Sequence, residues 1–264
     1  MKFFIASSLC WDYLPTEVIT IAKENKLHGV EMWAEHIYTM EETPTEIRKY
    51  AERMGIELTL HASSWDLNFC SLNKAIQLQS VSELKKSINL AADLGALHMT
   101  LHPGRFTVKD YITDFHWEAM IHNLQELVRH ALNKNVVLSL ELMEPIPKEI
   151  VTIPEVMNQL LHEVGEGLNV TLDIAHTPLK EKNIDYFNQL NQVNSIHLSD
   201  SSSTTFHLPL GEGDIDLGEV LEGFSSVELP IVIEGMDTTR KLDFMEKHLE
   251  YLRENGWLER KTSF

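Results

Sequence analysis

The chain has 264 residues, 43% hydrophobic and 23% charged, proportions that suit a folded globular protein and exclude a disordered or fibrous one. Its 40 acidic and 22 basic residues leave a formal net charge of −18, which argues against a surface built to neutralise nucleic-acid phosphates. Cys10 and Cys70 form neither a CxxC nor a zinc-finger spacing, so no redox motif or thiolate metal site is indicated and a reducing cytoplasm is expected.

The first segment, MKFFIASSLCW, has a short apolar stretch that runs into Asp12, and it reads as a buried strand rather than an export signal. No apolar run approaches the ~20 residues of a membrane span. Strand-like runs lie at 2–8, 29–33, 56–61, 97–102, 136–141, 169–173, 195–198 and 229–234. Near-continuous apolar character, as in Val136-Val137-Leu138, suits parallel strands covered on both faces. Helical stripes alternate with these runs. Val81, Leu84, Ile88, Ala91 and Leu94 share one face, closed by Gly95. Trp117, Met120, Leu124, Leu127, Val128 and Ala131 share another, and Leu242, Met245, Leu249 and Leu252 the last. Shorter helices are expected at 16–26, 44–54, 153–163, 183–191 and 216–224. Eight strands and eight helices in alternation predict a single (β/α)₈ barrel domain spanning 1–264. An open doubly wound sheet is the alternative, but no Gly-rich dinucleotide loop follows the first strand. The long non-periodic stretches 62–77, 103–114 and 199–215 all follow strands, which in a barrel places them on the C-terminal face.

The ends of the predicted strands carry the chemistry. Strands three to eight end in His61, His102, Glu141, Asp173, His197 and Glu234. His176 lies three residues past Asp173, and His207 lies in the loop after strand seven. Any one of them alone reads as a capping or loop residue. Together, on one barrel axis, they are too costly to bury unless paired or metal-bound. Imidazole and carboxylate ligands without thiolate point to Zn²⁺, Mn²⁺ or Fe²⁺. The other eight histidines fall before or within strands or on helices and read as structural, with only His36 near the mouth. Trp11, Trp33 and Trp65 follow the first three strands and are candidates for stacking on a substrate, with lid packing as the competing role. Arg105 is the candidate contact for a phosphate or carboxylate. The GEGD at 211–214 lacks the Lys and Ser/Thr of a phosphate loop and reads as a tight turn after His207.

The segments LTLHAS (58–63), TLHPG (100–104), SLEL (139–142), LDIAH (172–176), HLSD (197–200), HLPLGEGDID (207–216) and IVIEG (231–235) resemble the xylose isomerase-like barrel superfamily. That superfamily includes sugar and sugar-phosphate isomerases and epimerases, and the apurinic endonuclease IV group. The resemblance implies one divalent ion, zinc or manganese, on Glu141, Asp173, His197 and Glu234, as in the epimerases. It implies a second ion on His61 and His102 with Glu141 as bridge, as in the endonucleases. A third endonuclease-type site would use His176 and His207, but Thr205 stands where that pattern has Asp. The Arg that epimerases commonly place after HxxD is also missing from SDSSSTTFHLPLGEGD.

The leading expectation is a metal-dependent isomerase or epimerase of a small carbohydrate. Glu141 and Glu234 would move the proton, and His176 would hydrogen-bond the enediolate oxygen. The alternative is an endonuclease IV-like hydrolase at abasic DNA sites. Few cations lie in the three long loops (Lys74, Arg105 and Lys109), so nucleic acid is not the expected partner. A binding protein without catalysis is the third reading, and the near-complete ligand set argues against it.

Overall fold

In the computed structural model, which describes residues 1–109 and 111–259, eight parallel strands close into a barrel in sequence order. The strands are β1 (Lys2–Ala6), β2 (Gly29–Trp33), β3 (Glu57–His61), β4 (Met99–Leu101), β5 (Leu138–Leu142), β6 (Leu168–Asp173), β7 (Val193–Leu198) and β8 (Pro230–Ile233). β1 pairs with both β2 and β8, so no sheet edge remains. The helices between them are α1 (Pro15–Glu24), α2 (Ala34–Thr39), α3 (Pro44–Met54), α4 (Lys74–Leu94), α5 (Thr113–Leu132), α6 (Pro154–Val164), α7 (Asn183–Gln189), α8 (Leu217–Gly223) and α9 (Asp243–Glu254). Among the described residues, no helix is long and apolar enough to cross a membrane. Asp110, in the predicted 103–114 loop, and residues 260–264 of the predicted domain lie outside the described residues.

Four features depart from expectation. The short helix α2 directly after β2 was not expected. The first strand ends at Ala6, and Ser7–Cys10 form a 3₁₀ turn, with the Ser7 hydroxyl accepting from the Trp33 backbone N–H. α4 begins at Lys74, inside the predicted 62–77 loop, because the Asn73 side chain caps it by accepting from Ala75 N–H. The predicted strand 97–102 contracts to three residues, so His102 stands just past it.

Side chains alternate across each strand. The outward set packs on the helices in one large core: Leu58 and Leu60, Leu138, Leu140 and Leu142, Val170 and Leu172, Ile196 and Leu198. The other set fills the barrel interior. Thr100 of β4 and Thr171 of β6, strands that are not neighbours, meet there hydroxyl to hydroxyl at 3.0 Å. Thr59, Ser139 and Ser195 are likewise fully buried. Two residues further along the same faces come His61, His102, Glu141, Asp173 and His197. The period-two pattern therefore lays a floor of hydroxyl groups beneath a layer of ionisable ones. On the remaining strands Phe4, Ala6, Trp33 and Val232 form a separate apolar cluster, interrupted by Glu31 within β2 and followed by Glu234 just past β8. The Phe4 ring occupies the space a side chain at position 29 would need: a Cβ on Gly29 would lie 2.1 Å from Cε2.

Candidate metal centre

Three overlapping groups of ligand atoms lie at the C-terminal mouth, each with its members within 4.8 Å of one another. The central group is Glu141, Asp173, His197 and Glu234, all buried. A second is His61, His102 and Glu141, and a third is Asp173, His176 and His207. Glu141 and Asp173 each belong to two groups, so the three form a continuous chain of donors. All eight predicted ligand positions are thus brought together. The third group assembles although Thr205, exposed on the loop, supplies no carboxylate.

Five of the eight residues carry a ligand atom with no hydrogen-bond partner, whereas His176 Nε2 and His207 Nε2 lie 3.2 Å from each other. His61 Nε2, Glu141 Oε2, Asp173 Oδ2, His197 Nδ1 and Glu234 Oε2 are all buried without an aligned hydrogen bond. His197 Nδ1 lies 2.8 Å from Glu234 Oε2, and His61 Nε2 lies 3.5 Å from Glu141 Oε2. Orphaned buried acceptors of this kind are costly in a protein interior. A divalent cation bound by their lone pairs satisfies them together, so these residues fit a metal.

Three of the histidines are oriented through their second nitrogen, and where that nitrogen meets a carbonyl it must carry the proton, which leaves the lone pair of the neutral ring on the other. Nδ1 of His61 lies 2.9 Å from the Ala62 carbonyl, and Nδ1 of His176 lies 2.9 Å from the Leu142 carbonyl. Nδ1 of His207 is 3.1 Å from the Ser199 hydroxyl. His207 is delivered by a loop built around Asp200, whose carboxylate accepts from the backbone N–H groups of Ser201, Gly211, Gly213 and Ile215. The GEGD segment is accordingly a turn. A Cβ on Gly213 would fall 2.3 Å from Asp200 Oδ1.

In the metal-free protein, protons take the place of the cation. Burial opposes charge on His61, but the hydrogen bond to Glu141 and the fields of Glu141, Glu31 and Glu234 outweigh it and raise the group to about 9. His176 is raised to about 9 against burial by Asp173, Glu141 and Glu144. His197 rises well above its ordinary value against burial, beside Glu234, Glu31 and Glu141. Glu234 falls to about 2 despite burial, mainly through His197. Burial, with Glu234 and Glu141 crowding it, raises Asp173.

A cavity of about 180 Å³ opens on this cluster. Trp33, His102, Glu141, His176, His207 and Glu234 line it with Met143, Glu144, Gly235 and Met236. Trp33 stacks on His61 with centroids 4.3 Å apart. The other predicted substrate contacts do not line this cavity. Trp11 stacks on His36 and tilts against Trp65, which is half exposed, and Arg105 is exposed on its loop. No lysine or arginine lines the cavity among the described residues.

Two acidic groups escaped the sequence reading. Glu31 is fully buried inside β2, and Glu144 Oε2 lies 3.6 Å from His176 Nε2. The signal for Glu31 was present as one carboxylate within the apolar strand GVEMW.

Residues 19–256 match the family described as xylose isomerase-like TIM barrel. An uncharacterized protein of Methanocaldococcus jannaschii is 26% identical over 232 residues, 84% of this chain and 83% of that protein. A D-tagatose 3-epimerase-like protein superposes with a TM-score of 0.78 at 23% identity, covering 97% of this chain and 100% of its own. D-psicose 3-epimerase from Clostridium cellulolyticum, solved with D-tagatose, superposes with a TM-score of 0.80 at 14% identity, covering 98% and 99%. The two structural likenesses show the fold.

Proposed function

This chain belongs to the xylose isomerase-like TIM-barrel family, and from its site we propose that it is a metal-dependent epimerase or isomerase of a small carbohydrate, acting as one domain in the cytoplasm. The observation that carries this reading is that Glu141 and Glu234 line the same cavity, each held ionised beside the central ligand group. The structural likeness to D-psicose 3-epimerase supports the substrate class.

Glu141, Asp173, His197 and Glu234 would hold one zinc or manganese ion. When bound, the ion supplies Lewis-acid stabilisation of negative oxygen on the substrate. One glutamate removes the proton from the carbon next to a carbonyl, and the electron pair enters the new carbon–carbon double bond of an enediolate. The other glutamate takes a proton from water at the mouth and delivers it to the opposite face, which gives the epimer. Proton exchange with water through the mouth resets the pair. His176, which lines the same cavity, would hydrogen-bond the enediolate oxygen through Nε2. Trp33 and the two methionines offer an apolar wall to substrate C–H groups.

One observation favours a second reading. Three ligand groups linked through Glu141 and Asp173 are more than one ion requires. Neighbouring metals would suit hydrolysis of a phosphate ester, with His176 then serving as a ligand. Protein loaded with manganese or zinc and incubated with ketoses in D₂O separates the two. Epimerised product carrying deuterium at the inverted carbon supports the first reading. Hydrolysis of an abasic duplex or another phosphodiester, without carbon-bound exchange, replaces it with the second.

A further inference from the structure

Glu31 takes no part in the chemistry proposed above, yet it sits directly behind it. It belongs to β2, across the barrel from β7, and neither Glu31 nor His197 is exposed to solvent. Glu31 Oε1 lies 3.2 Å from His197 Nε2. Both atoms are buried, and neither makes an aligned hydrogen bond, so each is the nearest polar group on hand for the other. The other carboxylate oxygen, Oε2, accepts from the Thr59 hydroxyl at 3.4 Å, which ties the group to the hydroxyl floor. The opposite edge of the same imidazole, Nδ1, faces Glu234 at 2.8 Å, Glu141 at 3.6 Å and Asp173 at 3.9 Å.

These distances set a constraint on the ring. A neutral imidazole carries one N–H, and only its other nitrogen can bind a cation. His61, His176 and His207 each place a second nitrogen against a carbonyl or hydroxyl oxygen. His197, the histidine of the central group, has a carboxylate in that place instead. A carboxylate is the strongest such acceptor, because it fixes the proton on the far nitrogen and makes the near one a better donor to the ion.

We propose that Glu31 is a positioning residue that holds the His197 proton on Nε2 and so presents the Nδ1 lone pair to the central metal group. The proposal rests on the reading of Glu141, Asp173, His197 and Glu234 as metal ligands. It requires nothing of the substrate.

Glu31→Gln keeps the volume and one acceptor oxygen, whereas Glu31→Leu removes both charge and acceptor. Zinc affinity of each folded variant, measured by competition with a chelator, should fall about 10- to 100-fold for Glu31→Leu and much less for Glu31→Gln. The ¹⁵N spectrum of the zinc-loaded wild type should show His197 protonated at Nε2 and metal-bound at Nδ1, with the Nε2 proton exchanging faster in Glu31→Leu. Equal zinc affinity in all three proteins, or His197 bound through Nε2, overturns the proposal. If the affinities shift as expected but no carbohydrate is epimerised, the proposal stands and the functional reading fails. If epimerisation occurs with zinc affinity indifferent to position 31, the reverse holds. Wild-type protein that binds no zinc overturns both.

Discussion

The barrel interior has two sectors built on one alternation of side chains. Around β1, β2 and β8, Phe4, Ala6, Trp33 and Val232 fill it as an ordinary apolar core. From β3 to β7 the equivalent positions carry Thr59, Thr100, Ser139, Thr171 and Ser195, and above them the ionisable layer. The first sector buries apolar surface and contributes stability. The second buries polar and charged groups, which cost stability unless each is satisfied. Glu31 marks the boundary: it belongs to an apolar strand but serves the polar side. The difference separates holding the barrel closed from holding a ligand, and mutations should separate the two.

The largest effects should come from the polar sector. Glu141→Gln or Asp173→Asn removes an anion shared by two ligand groups, so metal content and activity should both disappear. Unchanged metal content in either variant would place the ion elsewhere. Glu234→Gln should lower kcat by about 10²–10⁴, the range for losing one acid–base group. In the apolar sector the pattern inverts. Phe4→Ala should cost about 3–5 kcal/mol in denaturant unfolding and leave the number of bound ions unchanged. Loss of metal from that variant at temperatures where it remains folded would show that the two sectors are not separable.

The sequence displayed the polar sector more clearly than the apolar one. His61, His102, Glu141, Asp173, His197 and Glu234 stood out because each ends an apolar run, where a charged group has few structural uses. The barrel itself was legible in the alternation of runs and helical stripes. Glu31 was not, because it sits in mid-strand and its partner His197 is 166 positions away, on the opposite side of a closed sheet. The reach of Trp11, Trp65 and Arg105 was also illegible, since loops fold by local contacts that periodicity does not encode. Thr205 misled for a related reason. The third ligand group closes through His207 because Asp200 shapes the loop, and the sequence shows that contact only as a GEGD turn.

A smaller effect is pH dependence of opposite sign in the two forms of the protein. His61 and His176 are raised from 6.5 to about 9 in the metal-free fold. Their contribution to stability is therefore complete below pH 6.5 and lost as pH rises through 9. A cation competes with those protons, so metal affinity should rise over the same interval. Melting of the stripped protein and metal titration at pH 6.5, 8 and 9 check both slopes. Parallel slopes would separate the histidines from the metal. Smaller still is the expected effect of His61→Ala or His207→Ala. Each should remove at most one outer ion and leave measurable epimerase activity, whereas Glu234→Ala should strip the tighter central ion. Equal loss of activity in all three would mean that the ions act as one unit, as hydrolysis would require.

The most direct test is anomalous diffraction from crystals of the protein loaded with manganese or zinc. The account predicts a peak within about 2.0–2.2 Å of donor atoms from Glu141, Asp173, His197 and Glu234, with weaker peaks, if present, only beside the two outer groups. A strong peak confined to an outer group, or none at the mouth in protein shown to contain the metal, would contradict it.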